Sequence, residues 1–149
     1  SGATKMMESY ADALDLPVAM MDKRRIGNEE KVEIKSVIGE VENKKVLIID
    51  DETLSGGTLI KDAEYLLNQA GEISVDTCFI HANLGEGAAE KLNNSQIKRF
   101  LTTDTIPSKD FGLRDLEIIS VTKRFADMIE RTHKNKSVKS LNDVLKINT

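Results

Sequence analysis

The chain has 149 residues, 40% of them hydrophobic, so it is long enough to bury a core as one soluble domain. Its formal net charge of -4 argues against a general nucleic-acid binder, because such proteins neutralise phosphates with Lys and Arg. The chain contains no apolar run near the roughly 20 residues of a membrane span and no opening secretory signal. The single cysteine, Cys78, excludes a disulfide framework. These features predict a cytoplasmic protein that binds neither membranes nor nucleic acids.

The amino-terminal part changes from apolar to strongly basic within a few residues. Residues 3–14 show helical spacing of apolar side chains, and Val18–Met21 is a short apolar run that predicts a strand. At Asp22 the sequence turns into the basic run Lys23–Arg25, which predicts a loop. A basic loop can be a solvated turn, but mobile cations also suit the transfer of phosphoryl groups. Alternating apolar and polar residues over 32–36 predict a half-exposed strand beyond it.

The stretch 45–61 organises the rest of the chain. Val46–Ile49 is an unbroken apolar run rich in β-branched residues, typical of a parallel strand buried on both faces. Two carboxylates, Asp50 and Asp51, end this run, and a loop rich in hydroxyl groups and glycine precedes residues with helical spacing. Glycine lets backbone N–H groups turn inward, and a helix amino terminus favours anions. The order strand, acidic pair, loop and helix therefore predicts a site for a phosphorylated sugar.

Each part of this predicted site has its own chemistry. The loop hydroxyl groups and N–H groups would hold the phosphate, while Asp50 and Asp51 would hold sugar hydroxyl groups or a divalent cation. The sequence lacks both the Walker phosphate loop and the dinucleotide fingerprint, so the alternative is an ordinary strand, polar turn and helix. The residues assigned to the sugar-phosphate site are Asp50, Asp51, Glu52, Thr53, Leu54, Ser55, Gly56, Gly57 and Thr58.

The carboxy-terminal half continues the alternation of strands and helices. Two further residues follow predicted strands, at the edge where open α/β sheets bind ligands: His81 after one strand and Asp104 after the next. Both are assigned as neighbours of the site, although a structural histidine and a capped turn are the alternatives. The predicted elements are strands at 75–80, 97–101 and 116–121, a short helix at 85–92, and an amphipathic helix that carries Arg131 and His133 in its last turn.

Several segments resemble one protein family. The loop at 51–58 resembles the ribose 5-phosphate loop of ribose-phosphate pyrophosphokinases and, less closely, that of type I phosphoribosyltransferases. The matches run in the same order from Gly2 to about Leu141, and they resemble the second half of a synthetase, so we expect the chain to be a fragment. The other matching segments are Asp22–Arg25, similar to the catalytic flexible loop, Val37–Val41, Thr103–Pro107, and Ser137–Leu141.

The alternation of elements and the resemblance together imply a fold and an activity. We expect one three-layer α/β domain over residues 1–149, with a mainly parallel sheet of about five strands and helices on both faces. The resemblance implies transfer of a diphosphoryl group from ATP to ribose 5-phosphate with Mg²⁺, giving phosphoribosyl pyrophosphate and AMP. It also implies that Lys23 and Arg25 are catalytic, that Asp50 and Asp51 contact the metal, and that the protein is a homo-oligomer regulated by phosphate or ADP.

Two alternatives stay open at this point. A type I phosphoribosyltransferase would use the same loop but needs a hood for a base, and the basic segment and carboxy-terminal motif argue against it. A synthetase-like regulatory or binding subunit without catalysis is the other alternative. One position departs from the family pattern, because Leu54 stands where the synthetases usually have an acidic residue.

Overall fold

The computed structural model describes residues 9–25, 32–69, 74–107 and 110–138. Residue contacts divide the chain into two compact units, the first formed by 1–40 and 123–149 and the second by Val41–Thr122. The elements in chain order are β1 (Met20–Arg25), β2 (Val32–Ile38), β3 (Lys45–Thr53), α1 (Gly57–Gln69), β4 (Ser74–Ala82), α2 (Ala88–Asn93), β5 (Phe100–Thr103), β6 (Leu116–Ile119) and α3 (Thr122–His133).

Over the described ranges, every helix is too short or too polar to cross a membrane. Some predicted features fall outside these ranges. They are Ser1–Lys5 with the start of the first predicted helix, the glycine and asparagine at 27–28, a helix-ending glycine at 71, and the last residues of the motif at 137–141.

The first unit contains an antiparallel hairpin. In it β1 pairs with β2 from Met20↔Ile38 to Arg25↔Val32, with a register irregularity between Asp22 and Lys23. The prediction of a loop at Asp22–Arg25 is therefore wrong, since these residues lie in β1. The backbone N–H and C=O groups of this segment pair with β2. The polar composition of the segment gave no sign of this pairing. The strand at 32–36 is confirmed and extends to Ile38.

The second unit is built on a four-stranded parallel sheet. Its strand order is β3-β4-β5-β6, so each strand pairs with the next one in sequence. This arrangement confirms the α/β fold with a mainly parallel sheet, although the described sheet has four strands where about five were predicted. Parallel neighbours need a crossover, which α1 provides between β3 and β4 and α2 between β4 and β5.

The core of the second unit lies between the sheet and its two helices. One face of α1 is buried through Leu59, Ala63 and Leu66, which follow helical spacing. Against it, alternate residues of β4 are fully buried, as expected for one face of a strand. The other buried apolar residues of this unit are Val41, Val75, Phe79, Ala82, Ala88, Leu92, Ile97 and Phe100.

The strand β3 differs from its prediction in two ways. It lies at one edge of the described sheet, and its side chains are only partly buried, with Leu47 41% exposed. The prediction that it is buried on both faces is therefore wrong, because burial depends on neighbouring elements as well as on composition. The strand also continues past Ile49 to Thr53, since its pairing with β4 extends to Thr53↔Ala82. The acidic pair thus lies within the strand.

Candidate functional site

Residues 54–56, called the sugar-phosphate loop after the predicted ligand, join β3 to α1. Helix α1 begins at Gly57, so the first N–H groups of the helix face the preceding loop, where an anion can accept them. The Oγ of Ser55 accepts a hydrogen bond of 3.3 Å from the N–H of Gly57, which fixes the turn. The side chains of Ser55 and Thr58 are both exposed. The loop and the first turn of α1 therefore offer two hydroxyl groups and a helix amino terminus, and their binding of a phosphate stays a prediction.

Gly56 sets the shape of this loop. Its φ of +72° lies in the left-handed region, and a Cβ placed on it would lie 2.7 Å from Cγ of Leu92. Leu92 belongs to α2 and is fully buried, so a shift of its side chain would disturb the packing around it. Gly56 therefore lets the backbone turn and pack directly on α2.

The acidic residues have separate local roles. Asp50 and Asp51 are consecutive in β3, so their side chains project to opposite faces of the sheet. The Oδ1 of Asp50 accepts the N–H of Asp51 at 3.0 Å, and the Oδ1 of Asp51 accepts the N–H of Glu52 at 2.8 Å. Among the described residues, no group of three His, Cys, Asp or Glu side chains could hold a metal ion. A cation on either face of β3 would therefore have one carboxylate of this pair nearby. Oxygen atoms of a bound substrate or of water would have to complete its coordination.

Polar contacts tie the carboxyl ends of β3 and β4 together. The Nδ2 of Asn83 donates to Oε1 of Glu52 at 2.9 Å, and the N–H of Gly85 donates to the carbonyl oxygen of Leu54 at 2.9 Å. Thr53 is only 5% exposed, so its side chain offers little to a ligand. Leu54 is 61% exposed, which places a large apolar side chain on the surface of the site. Glu52 and Thr53 therefore support the loop structurally. Their direct contact with a ligand stays a prediction.

His81 is held by a second group of polar contacts at the same edge. It is the penultimate residue of β4, and its exposed side chain places Nδ1 2.8 Å from Oγ1 of Thr105. Thr105 in turn contacts Thr103 Oγ1 at 2.9 Å and the carbonyl oxygen of Ile80 at 3.1 Å. The sequence predicted His81 as a neighbour of the site but not its orientation by Thr105, since 24 positions separate the two residues.

Asp104 has contacts of a structural kind. Its carboxylate accepts hydrogen bonds from the hydroxyl group of Ser120, from the N–H of Val121 at 2.8 Å, and from Oγ1 of Thr122 at 3.3 Å. These bonds join the turn after β5 to the segment that leads from β6 into α3. The hydrogen bond from Ser120, followed by that from Val121, holds the pKa of Asp104 below its ordinary value. Its role as a neighbour of the site stays a prediction, beside this structural one.

We expect Asp104 to make the chain sensitive to acid. Because the pKa of the folded-state carboxyl is lowered, its contribution to stability is present above the unfolded pKa, near 3.8, and is lost as pH falls through the lower folded-state value. Urea unfolding between about pH 5 and pH 2 should show a smaller acid-induced loss of stability in Asp104→Asn than in the unchanged chain. Equal pH dependence in the two proteins would contradict this assignment. Asp110→Asn is the matched control, at a carboxylate that accepts the N–H of Gly112 within its own turn.

The two residues predicted to be catalytic lie in the first unit. Lys23 and Arg25 are both on β1, and the side chain of Lys23 is exposed. The sugar-phosphate loop belongs to the second unit. The structure therefore places both residues in β1 and the loop in the other unit.

A cavity of about 290 Å³ lies at the carboxyl ends of β4 and β5. Its lining combines apolar side chains with backbone polar groups, an amide and a carboxylate. Sequence reasoning missed this cavity, because its walls come from two loops that are distant in the chain. It is lined by Ala82, Asn83, Leu84, Gly85, Gly87, Ala89, Ile106, Pro107, Asp110 and Phe111.

Comparisons with known proteins agree on one family. The family described as "Phosphoribosyl transferase domain" matches residues 1–113. Ribose-phosphate pyrophosphokinase from Campylobacter jejuni is 37% identical over 140 residues, which cover 94% of this chain and 44% of that protein. The protein of the same name from Caldanaerobacter subterraneus is 35% identical over 141 residues, with the same coverage. The chain thus spans a little under half the length of these relatives.

A solved structure shows the same likeness in three dimensions. The crystal structure of phosphoribosylpyrophosphate synthetase from Mycobacterium smegmatis aligns with a TM-score of 0.75 at 26% sequence identity. The alignment covers 91% of this chain and 43% of that one. Sequence and structure therefore agree on the family, and both matches cover a little under half of the related protein.

Proposed function

This chain belongs to the phosphoribosyl transferase domain family, and we propose that it is the sugar-phosphate-binding half of a ribose-phosphate diphosphokinase. The full-length enzyme would transfer the β,γ-diphosphoryl group of ATP to the C1 hydroxyl of ribose 5-phosphate, releasing AMP. The observation that supports this proposal most directly is the loop between β3 and α1, where hydroxyl groups and a helix amino terminus follow an acidic strand end. The named relatives support the reaction, since the chain is similar to them over 94% of its length.

The residues would divide the work of the reaction. Ser55, Thr58 and the N–H groups at the start of α1 would bind the 5-phosphate. Asp50 or Asp51 would accept hydrogen bonds from ribose hydroxyl groups. Lys23 and Arg25 would stabilise the charge that develops on the transferring group, as cations do in phosphoryl transfer.

Magnesium fits the oxygen ligands of this strand end. Mg²⁺ commonly takes one or two protein carboxylates and completes its shell with substrate phosphates and water. Asp50 or Asp51 would supply one such carboxylate, and substrate phosphates and water would supply the other oxygen ligands. When bound, the ion would neutralise phosphate charge and orient the diphosphoryl group. Formation of a homo-oligomer, regulation by phosphate or ADP and a cytoplasmic location belong to the same proposal.

One observation favours a second candidate function. A type I phosphoribosyltransferase needs a place for a base beside its sugar-phosphate loop, and the cavity at the ends of β4 and β5 adjoins that loop through Gly85. The similarity to pyrophosphokinases over nearly the whole chain favours the first candidate instead. We therefore keep the phosphoribosyltransferase as the alternative to be tested.

Release of AMP separates the candidates. The full-length protein should form AMP from ATP only when ribose 5-phosphate is present, with no need for a free base. This 149-residue chain alone should bind ribose 5-phosphate weakly and transfer nothing. Consumption of phosphoribosyl pyrophosphate that depends on a base would identify the transferase. Binding of ribose 5-phosphate without either activity in the full-length protein would identify a regulatory or binding subunit.

Leu54 gives a prediction about sugar binding. Its side chain is 61% exposed and cannot accept a hydrogen bond, so Leu54→Asp should be tolerated by the fold and should add an acceptor at the site. A hydroxyl contact with a charged acceptor is worth about 1.5–3 kcal/mol, which sets the upper limit for tighter binding of ribose 5-phosphate. Isothermal titration of the full-length variant would measure it. Leu54→Asn tests whether charge is needed, and weaker binding in Leu54→Asp would show that the leucine itself contacts the ligand.

A further inference from the structure

His81 lies where the sheet meets the sugar-phosphate loop. Its register partner is Glu52 of β3, two residues before Leu54, where the loop begins. Neighbouring strands are about 4.8 Å apart, so the imidazole stands one strand away from the chain that enters the loop. Its side chain is exposed at the carboxyl edge, the side of a parallel sheet on which ligands bind.

The Nδ1 of His81 belongs to a group of four short contacts, of which one reaches the ring. The Nδ1 of His81 is 2.8 Å from Oγ1 of Thr105, and Thr105 Oγ1 is 2.9 Å from Thr103 Oγ1. The carbonyl oxygen of Ile80 receives the other two contacts, at 2.7 Å from Thr103 Oγ1 and 3.1 Å from Thr105 Oγ1. Thr103 is 7% exposed, so this group is anchored in the protein interior.

Counting hydrogens decides which nitrogen of the ring is protonated. The two threonines supply two hydroxyl hydrogens, and the carbonyl oxygen only accepts. If Nδ1 were an acceptor, Thr105 would have to donate to it, and the single remaining hydrogen of Thr103 could satisfy only one of the other three contacts. If Nδ1 carries a hydrogen and donates to Thr105, three hydrogens serve the four contacts. The geometry therefore favours the Nδ1–H tautomer, in which a neutral ring has a lone pair on Nε2.

We propose that Nε2 of His81 accepts a hydrogen bond from a hydroxyl group of the bound sugar phosphate, with Thr105 as the positioning residue. This inference rests on the proposed function, because it assumes that the loop holds a sugar phosphate. A lone pair suits a hydroxyl donor and does not suit the oxygens of a phosphate dianion, which carry no hydrogen. The His81–Thr105 pair therefore recognises the sugar part of the ligand, while the loop recognises its phosphate.

Nitrogen NMR of this chain tests the inference directly. In ¹⁵N-histidine-labelled protein, the Nε2 resonance of His81, assigned by its loss in His81→Gln, should be that of an unprotonated nitrogen. Ribose 5-phosphate should shift this resonance, and inorganic phosphate should not, whereas the backbone amides of Gly57 and Thr58 should respond to both ligands. His133, the other histidine of the chain, serves as an internal reference.

Two substitutions separate an acceptor role from a structural one. His81→Asn keeps a donor near Thr105 but leaves no acceptor at the position of Nε2, because its side chain is shorter, so it should weaken ribose 5-phosphate binding about tenfold and leave phosphate binding unchanged. His81→Gln can place a carbonyl oxygen near the position of Nε2 and should retain affinity within about threefold. Thr105→Val should increase the fraction of the other tautomer in the spectrum and weaken binding of the sugar phosphate only.

The possible failures are distinguishable. If ribose 5-phosphate shifts the amides of the loop but neither moves Nε2 nor binds more weakly to His81→Asn, the inference about His81 is wrong and the proposed function stands. If His81→Asn weakens phosphate and ribose 5-phosphate equally, the residue supports the loop and the inference is also wrong. If neither ligand shifts the amides of Gly57 and Thr58, both the proposed function and the inference about His81 are wrong.

Discussion

If the proposed function holds, replacing Lys23 with alanine in the full-length protein is expected to lower kcat by a factor of about 10²–10³ while ribose 5-phosphate binding changes little. The reason is that negative charge on the transferring diphosphoryl group develops fully only in the transition state. A cation placed beside that group therefore stabilises the transition state more than the bound substrate. Lys23 is exposed on β1, which is a different segment of the chain from the loop proposed to bind the sugar phosphate. Steady-state kinetics with ATP saturating, together with a direct binding measurement for ribose 5-phosphate, would check both halves of the prediction.

Two further variants sharpen this experiment. Lys23→Arg keeps a positive charge and should recover part of the lost kcat, whereas a purely structural role in β1 would be satisfied by many side chains. Lys45→Ala removes an exposed cation at the start of β3, at the opposite end of that strand from the loop, and should leave kcat unchanged. A Lys23→Ala enzyme with normal kcat and only a raised KM for the sugar would show that Lys23 is a binding residue.

The order of strand, loop and helix over residues 45–61 could be predicted from the sequence because its signals are local. The β-branched run before Asp50, the hydroxyl groups at Ser55 and Thr58, and the helical spacing from Leu59 onward each depend only on neighbouring residues. The structure has the same order of strand, loop and helix. The need for glycine at Gly56 also follows from the local turn, although its contact with Leu92 does not.

Features that depend on distant residues could not be predicted. Asp22–Arg25 has the composition of a loop, and only pairing with β2 reveals it as a strand. The burial of Val46–Ile49 was overestimated because composition does not show that β3 lies at the edge of the described sheet. The contact between His81 and Thr105 and the cavity beside it arise from the turns after β4 and β5, which the parallel sheet brings to the same edge.

Gly56→Ala is expected to destabilise the second unit and to abolish binding of ribose 5-phosphate. Two costs add at this position. A side chain at a φ of +72° costs about 1–2 kcal/mol, and forcing a Cβ to 2.7 Å from the fully buried Leu92 adds about 1–3 kcal/mol of overpacking. The free energy of unfolding should therefore fall by about 2–5 kcal/mol, and the loop should lose the backbone turn that directs its N–H groups to the phosphate.

Two other glycines separate the costs in this experiment. Gly87 has a φ of +73°, but a Cβ added there would have no atom within 4 Å, so Gly87→Ala should show the backbone strain of about 1–2 kcal/mol alone. At Gly57 a Cβ would meet only Ser55 Oγ, at 3.4 Å, so Gly57→Ala should leave stability unchanged or raise it by up to about 1 kcal/mol. Urea unfolding of the three variants should rank Gly56→Ala as the least stable, then Gly87→Ala, then Gly57→Ala.

If Gly56→Ala unfolds at the same urea concentration as Gly87→Ala, the packing of the loop against Leu92 contributes nothing. If it also binds ribose 5-phosphate normally, the phosphate is not held by the backbone of this loop.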